Sequence, residues 1–194
     1  DGVALSLSSI GEMHNFWGQY DKAIENYQQA LALFTKLGIE EGIAISLNNI
    51  GGVYNSWGQY DKAIENFQQA LTIARRLKIG GRIAVYLNNI GGVYKAWGQY
   101  DKAIENFQRA LTLFRKLGTA GGIALSLSNI GEVHNSWGQY DKAIENYQQA
   151  LAIARKLGAE DRIATFLIKI GTVYHAWGQY DKAIENYQQA LAIA

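Results

Sequence analysis

Apolar residues recur along the chain at the spacing of one helix face, with polar residues between them. From residue 43 onward the apolar side chains stand at i, i+4, i+7, i+11 and i+14, which is one face of an α-helix. Gly58 interrupts this pattern, and a second segment that starts near Asp61 again keeps helical spacing. The pattern therefore predicts two helices joined by a short turn, and the apolar face of the first is formed by Ile43, Leu47, Ile50, Tyr54 and Trp57.

This pair of helices recurs through the whole chain. The stretch WGQYDKAIEN occurs unchanged five times, with copies that begin 40 residues apart: Trp17–Asn26, Trp57–Asn66, Trp97–Asn106, Trp137–Asn146 and Trp177–Asn186. Such a period is typical of a solenoid, because one repeat alone cannot bury its apolar face. We predict a single array, 1–194, of five repeats, about 1–40, 41–80, 81–120, 121–160 and 161–194. We also expect it to be a fragment of a longer chain.

Two further features of the repeat indicate how its helices begin and pack. Asp61 offers a carboxylate to the free N–H groups at the start of the second helix. A glycine lies midway along each first helix, where it costs roughly 1 kcal/mol relative to alanine. We therefore expect close contact between helices at Gly11, Gly51, Gly91, Gly131 and Gly171.

Composition and charge exclude several classes of protein. With 48% hydrophobic and 18% charged residues, the chain has enough apolar material to fold. Its net charge of +1 comes from cations and anions that are interspersed in every repeat, so we expect no nucleic-acid partner. No apolar run is long enough for a membrane span. The absence of cysteine excludes a thiolate metal site and fits a reducing compartment, and we expect a cytoplasmic location.

The residue types that carry catalysis are few and poorly placed. His14 and His134 occupy positions where other repeats have a packed tyrosine, and His175 has no cysteine or carboxylate at metal-ligand spacing. No glycine belongs to a phosphate-binding motif. We therefore predict no enzyme, no catalytic residue, no metal and no cofactor.

The run Leu47–Leu71 resembles the tetratricopeptide repeat. The matching residues are Leu47, Ile50, Gly51, Tyr54, Gly58, Tyr60, Ala63, Phe67 and Ala70, and all five repeats carry the pattern. Two departures are the repeat length, 40 rather than about 34 residues, and the absence of proline. The long repeat is similar to those of the LGN/Pins adaptors and the kinesin light chains. This resemblance implies an all-α protein, a right-handed α-solenoid superhelix of five helix–turn–helix repeats.

The resemblance also implies that the first helices line a concave groove that binds peptide segments. In the second repeat, the face opposite the packed one includes Ile45, Gly52 and Ser56, together with asparagines. This stripe differs between repeats while the second helices hardly change, which favours a role in specificity, although neutral drift gives the same appearance. The predicted groove residues are Glu12, Asn48, Asn49, Asn55, Asn88, Asn89, Lys95, Asn129, Glu132, Asn135, Lys169 and His175.

Asparagines occupy one equivalent position of the stripe in three repeats, at Asn49, Asn89 and Asn129. A carboxamide both donates and accepts hydrogen bonds, so such a row can pair with the backbone of an extended peptide. The row resembles the asparagine ladder of O-linked N-acetylglucosamine transferase, but Ser9 and Lys169 replace asparagine at its ends. Solvated side chains, or bonds between neighbouring helices, are the alternative interpretation.

Two functions remain open at this stage. The first is a non-catalytic scaffold for protein–protein interaction, which binds a peptide or protein segment in the groove. The second is a structural module that stacks end to end. Solenoids usually need polar capping repeats, yet the last second helix, Asp181–Ala194, keeps its apolar stripe and nothing polar precedes the first helix. Head-to-tail self-association through the terminal helices is the resulting expectation.

Overall fold

The computed structural model describes residues 2–193, which fold into ten α-helices. The first helices of the repeats are α1 Gly2–Phe16, α3 Glu40–Ser56, α5 Gly80–Ala96, α7 Ala120–Ser136 and α9 Glu160–Ala176. The second helices are α2 Tyr20–Leu37, α4 Tyr60–Arg76, α6 Tyr100–Lys116, α8 Tyr140–Lys156 and α10 Tyr180–Leu191. The all-α class and the five helix–turn–helix repeats are thereby confirmed. Ala194, the predicted end of the last helix, lies outside the described residues. Within residues 2–193, no helix has the length and apolar character needed to cross a bilayer.

The turn inside each repeat depends on a glycine in the left-handed region. Gly58 has a φ of 76°, and the N–H of Gln59 donates to the carbonyl oxygen of Tyr54 at 2.8 Å. Glycine adopts a positive φ without steric cost, so Gly58 allows the chain to turn and form the hydrogen bond that ends α3. The N-cap of α4 is Gln59, whose side chain makes no capping hydrogen bond. Asp61 lies in the first turn of α4, as expected, where its negative charge interacts favourably with the positive end of the helix dipole.

The chain divides between Gln99 and Tyr100 into two compact units. The first unit contains α1 to α5, and the second contains α6 to α10. Within each unit, every helix packs against the next one along the chain, and α3 also touches α5. The single array over residues 1–194 stays a prediction.

One core cluster of the first unit lies where the second helix of one repeat meets the first helix of the next, and another joins Ala4 of α1 to Ala30 and Phe34 of α2. Ala23, Ile24 and Tyr27 of α2 are in one cluster with Ile50 and Val53 of α3, and all five are at most 8% exposed. Full burial of one large apolar side chain contributes about 1.5–3 kcal/mol. The junctions between repeats are therefore a main source of stability.

The glycines midway along the first helices allow an aromatic ring of the same repeat to approach the backbone. A Cβ atom built on Gly51 would lie 3.0 Å from the Phe67 ring, and one on Gly131 would lie 2.9 Å from the Tyr147 ring. Both distances are shorter than ordinary van der Waals contact, so a larger side chain would force the ring to move. The expected close helix contact is confirmed at Gly11, Gly51, Gly131 and Gly171.

A tryptophan and a tyrosine from successive repeats meet at each junction within a unit. Trp57 lies against Tyr20, which begins the preceding second helix, with ring centroids 5.8 Å apart. These tryptophans remain between 38% and 41% exposed. The contact therefore joins neighbouring repeats at the edge of the core, and the other pairs are Tyr60–Trp97, Tyr100–Trp137 and Tyr140–Trp177.

Candidate functional site

The stripe predicted on the first helices is the face that the second helices leave uncovered. On α3, Leu47 and Ile50 are buried, whereas Asn48, Asn49 and Asn55 remain partly exposed. On α5, Asn89 is likewise partly exposed, but Asn88 is only 6% exposed. The helical period separates the two faces because residues three and four positions apart share a side. Asn88 thus contributes little surface for a ligand.

Three asparagines in the first unit form a connected group across two neighbouring first helices. The Nδ2 atom of Asn89 donates to Oδ1 of Asn48 at 2.7 Å, and Nδ2 of Asn48 donates to Oδ1 of Asn49 at 3.3 Å. Bonding between neighbouring helices, one of the alternatives left open by the sequence, therefore occurs in α3 and α5. These bonds fix the orientation of the amides before any ligand arrives.

A second set of asparagines on the same face is under-satisfied. The Oδ1 atoms of Asn15 and Asn55 are buried and accept no hydrogen bond, and the same is true of Asn135 in the second unit. A buried acceptor without a donor costs about 1–3 kcal/mol. A ligand N–H group reaches such an oxygen only after the amide turns it toward the surface, so these side chains have a reason to reorganise when a donor approaches.

The stripe of the first unit carries an acidic residue at its start. Glu12 on α1 is exposed. The burial of Tyr27, together with the negative charge of Glu12, raises the pKa of Tyr27 to about 12. Burial is the larger cause, because it disfavours the charged phenolate. Lys95, the other charged residue predicted for this unit, lies in the last turn of α5 and is partly exposed.

In the second unit an ion pair crosses the stripe. Lys169 on α9 contacts the Glu132 carboxylate on α7, and each side chain is 30% exposed. The Nζ atom of Lys169 also lies 5.7 Å from the centroid of the Tyr147 ring. Burial, with a smaller effect of Glu132, raises the pKa of Tyr147 above its usual value. The pair neutralises two predicted groove charges, so the local field offered to a ligand is weak.

The remaining predicted positions differ in exposure. Asn129 and Asn135 on α7 are partly exposed, whereas His175 on α9 is exposed and lies edge-on to Tyr180, with ring centroids 5.6 Å apart. The structure thus places eleven of the twelve predicted residues at least partly at the surface and buries Asn88.

The other two histidines have structural contacts. Nδ1 of His14 donates to Oε1 of Gln19 at 2.8 Å, and Nδ1 of His134 makes the same bond to Gln139 at 2.9 Å. Each bond ties the end of a first helix to the residue before the next helix. Burial lowers the pKa of His134, so this ring favours its neutral form. Within residues 2–193, no group of three or more histidine or acidic residues is arranged to hold a metal ion.

A small pocket that the sequence did not predict lies at the turn of the first repeat. It has a volume of about 280 Å³, and its wall includes Tyr20, Asp21, Lys22 and Trp57. The invariant WGQYDK stretch supplies most of these residues, and the following repeat supplies Trp57. The only sequence signal for this pocket is the repeat itself, which does not show that the two segments meet.

Comparison with known proteins identifies the repeat. A family profile described as tetratricopeptide repeat matches residues 2–76, 42–116, 82–156 and 122–194, which together span the described chain. No curated protein sequence matches.

Several solved structures share the fold. BtubC (BKLC) from P. vanneervenii has a TM-score of 0.83 at 24% identity, covering 96% of this chain and 78% of that one. A putative kinesin light chain from Podosopora anserina, with nearly identical TPR-like repeats, has a TM-score of 0.78 at 22% identity, covering 97% and 93%. A Rap protein complexed with Competence and Sporulation Factor has a TM-score of 0.81 at 24% identity, covering 97% and 53%. At these identities the likeness establishes the fold alone.

Proposed function

Because the chain belongs to the tetratricopeptide repeat family, we propose that it is a non-catalytic scaffold that binds an extended peptide or protein segment along the stripe of its first helices. The expected partner is a protein, not a nucleic acid or a membrane, and the expected location is the cytoplasm. The observation that carries this proposal is the polar stripe itself, in which amide side chains lie partly exposed on the helix face opposite the packed one.

The chemistry of the stripe suits a peptide backbone. Asn48, Asn49 and Asn89 form one bonded group on α3 and α5, and amides offer both donors and acceptors to a ligand. Asn15 and Asn55 add amides whose buried oxygens lack a donor, and the N–H groups of a bound chain are suitable donors once these amides turn the oxygen toward the surface. Backbone groups recur regularly along an extended segment, as the asparagines recur along the repeats.

Charge contributes less to this recognition than local hydrogen bonding. Glu132 and Lys169 neutralise each other, and the chain carries a net charge of only +1. Long-range steering of a charged partner is therefore weak. The Rap protein that shares the fold was solved with Competence and Sporulation Factor bound, which supports a ligand-binding role for this architecture.

The proposal is tested by selecting peptide ligands and then replacing asparagines of the stripe by alanine. A phage-displayed library of random linear peptides is selected on the immobilised chain, and the enriched peptides are titrated by calorimetry against the chain and its variants. Asn49→Ala with Asn89→Ala should weaken binding by roughly fivefold per lost hydrogen bond, or about 1 kcal/mol each. The matched control is Gln28→Ala, at an exposed position of α2.

Loss of the Asn48–Asn89 bond also affects the protein alone, so the free energy of unfolding is measured for each variant. A binding loss that exceeds the change in folded fraction supports the stripe as the site. Enriched peptides that bind the double asparagine variant as tightly as the Gln28→Ala control would show that another surface is used.

A further inference from the structure

The last helix exposes an apolar face that its counterparts bury. On α10, Ile184 is 53% exposed and Tyr187 is 38% exposed. The equivalent residues of α2, Ile24 and Tyr27, are 8% and 4% exposed because α3 covers them. Leu191 extends the same face and is 77% exposed. The sequence of this face is that of a buried junction, but nothing in the described chain covers it.

The first helix exposes the opposite half of the same junction. Ile10 and Met13 of α1 are 47% and 48% exposed, whereas their equivalents on α3, Ile50 and Val53, are 3% and 1% exposed. Trp17 is 64% exposed, well above the tryptophans of the later repeats. The exposed residues of α1 and α10 are thus the two complementary sides that meet at the α2–α3 junction.

The aromatic contact of the internal junctions is also divided between the two ends. Tyr180 is 61% exposed and Trp17 is 64% exposed, and within residues 2–193 neither ring has the tyrosine–tryptophan partner that its equivalents have. Elsewhere these two positions form close pairs, as in Tyr20–Trp57 and Tyr140–Trp177. A surface that joins Tyr180 to Trp17 would therefore reproduce an existing contact.

We propose that a second copy of this chain docks head to tail, with its α1 face against the α10 face of the first copy. Ile184 and Tyr187 then pack on Ile10 and Met13, and Tyr180 meets Trp17. The choice of a second copy follows from continuity with the internal junctions, which unite the same residue types. The contact is heterologous, so each docked copy leaves one free face of each kind, and assembly continues unless it closes into a ring. This inference does not rest on the peptide-binding role, since it uses neither asparagine nor charge of the stripe.

The experiment measures molar mass by sedimentation equilibrium across about a hundredfold range of protein concentration, since association follows mass action. For the unaltered chain, the weight-average mass should rise by at least about twofold over this range. Met13→Asp blocks the α1 face and Ile184→Asp blocks the α10 face, and both side chains are exposed enough for the fold to tolerate the change. Gln28→Asp, at an exposed position of α2, is the matched control and should assemble like the unaltered chain.

Mixing the two blocked variants distinguishes this arrangement from others. Each variant alone should stay monomeric, whereas an equimolar mixture should form a one-to-one dimer and nothing larger, because one functional face of each kind remains. A constant monomer mass for the unaltered chain would overturn the proposal. So would dimers of Met13→Asp alone, which would indicate that two α10 faces pair with each other. Circular dichroism confirms that every variant retains its helices.

Discussion

The α2–α3 and α4–α5 junctions of the first unit bury an aromatic ring from opposite sides. At the first, Phe34 near the end of α2 is 6% exposed, and a Cβ atom on Gly42 of α3 would lie 2.4 Å from its ring. At the second, Ala74 replaces the phenylalanine and Arg82 replaces the glycine, while Tyr86 of α5 is 1% exposed. The ring thus comes from the second helix in one case and from the following first helix in the other.

The second unit repeats this alternation. Phe114 lies against Gly122, where a Cβ would again be 2.4 Å from the ring, and Ser126 is buried as Ser46 is. The next junction has Ala154 and Arg162, and the buried ring is Phe166. We name the two kinds the Phe–Gly junction (Phe34, Gly42, Ser46; Phe114, Gly122, Ser126) and the Ala–Arg junction (Ala74, Arg82, Tyr86; Ala154, Arg162, Phe166).

Near-identical repeats are therefore not interchangeable, because each kind of junction needs its own set of residues. Protein interiors are packed to a constant density, so a large residue on one side requires a small one on the other. Phe34 fits because Gly42 has no side chain. A repeat moved by one position would place a phenylalanine against an arginine at one junction and an alanine against a glycine at another.

The largest expected effect is loss of the ring at a Phe–Gly junction. Phe34→Ala leaves a cavity bounded by Gly42, which supplies no atoms to fill it, and should cost about 3–5 kcal/mol of the free energy of unfolding in urea. Phe16→Ala is the control, because that ring is 82% exposed. Equal effects of the two substitutions would contradict the packing described.

A smaller but more specific effect is expected when the arginine of an Ala–Arg junction is placed at the glycine position of a Phe–Gly junction. Gly42→Arg drives a side chain into the Phe34 ring and should destabilise by about 1–3 kcal/mol. The triple variant Phe34→Ala, Gly42→Arg, Ser46→Tyr installs the other kind of junction and should recover most of that loss. Urea denaturation of the single, double and triple variants gives the coupling free energy. Strictly additive effects would show that the three positions are independent.

Next in size is a change of backbone strain at the connector of the α4–α5 junction. Lys78 has a φ of 57°, where the other connectors have Gly38, Gly118 and Gly158. A non-glycine residue in the left-handed region is strained by roughly 1–2 kcal/mol, so Lys78→Gly should raise the free energy of unfolding by about 1 kcal/mol after the entropy cost of glycine. The reverse substitution, Gly38→Lys, should lower it. Thermal melts that place both variants on the same side of the parent would refute this account.

The smallest expected effect concerns the ion pair of the Ala–Arg junction. Arg82 contacts Glu41 of α3 through Nε and Nη2, both at 2.8 Å, and the side chains are 36% and 50% exposed. Solvent screens such a pair, so Glu41→Gln should cost less than about 1 kcal/mol. The loss should shrink in high salt. Arg162 faces Gly121 instead of a glutamate, so Arg162→Gln serves as a control without that dependence.

The residue types found at the two kinds of junction also affect docking between copies. By sequence, Gly2 and Ala194 occupy the positions of Gly42 and Phe34. This combination belongs to neither kind of junction, because both residues are small. We therefore expect head-to-tail contact between copies to be weaker than any junction within the chain, with assembly confined to high protein concentration.

Much of the fold followed from the sequence because its signals are local. The apolar spacing from Ile43 to Trp57 specified one helix face, and Gly58 marked the end of that helix. The role of Gly51 also followed, since glycine in a helix interior implies close packing. The candidate stripe was identified for the same reason, as the polar positions opposite the packed residues. The acidic charge of Asp61 at the start of the second helix also followed, whereas the N-cap residue, Gln59, was not predicted.

The repeat, its two helices and the buried face of each helix can be read from the amino-acid order, since a helix fixes which residues share a side. The packed helices show which side chains meet across repeats: Asn89 with Asn48, Lys169 with Glu132, and Phe34 with Gly42. They also show that Asn88 is buried although its neighbour is not. These contacts depend on the angle and spacing between packed helices, and those arise from the volumes of many side chains together.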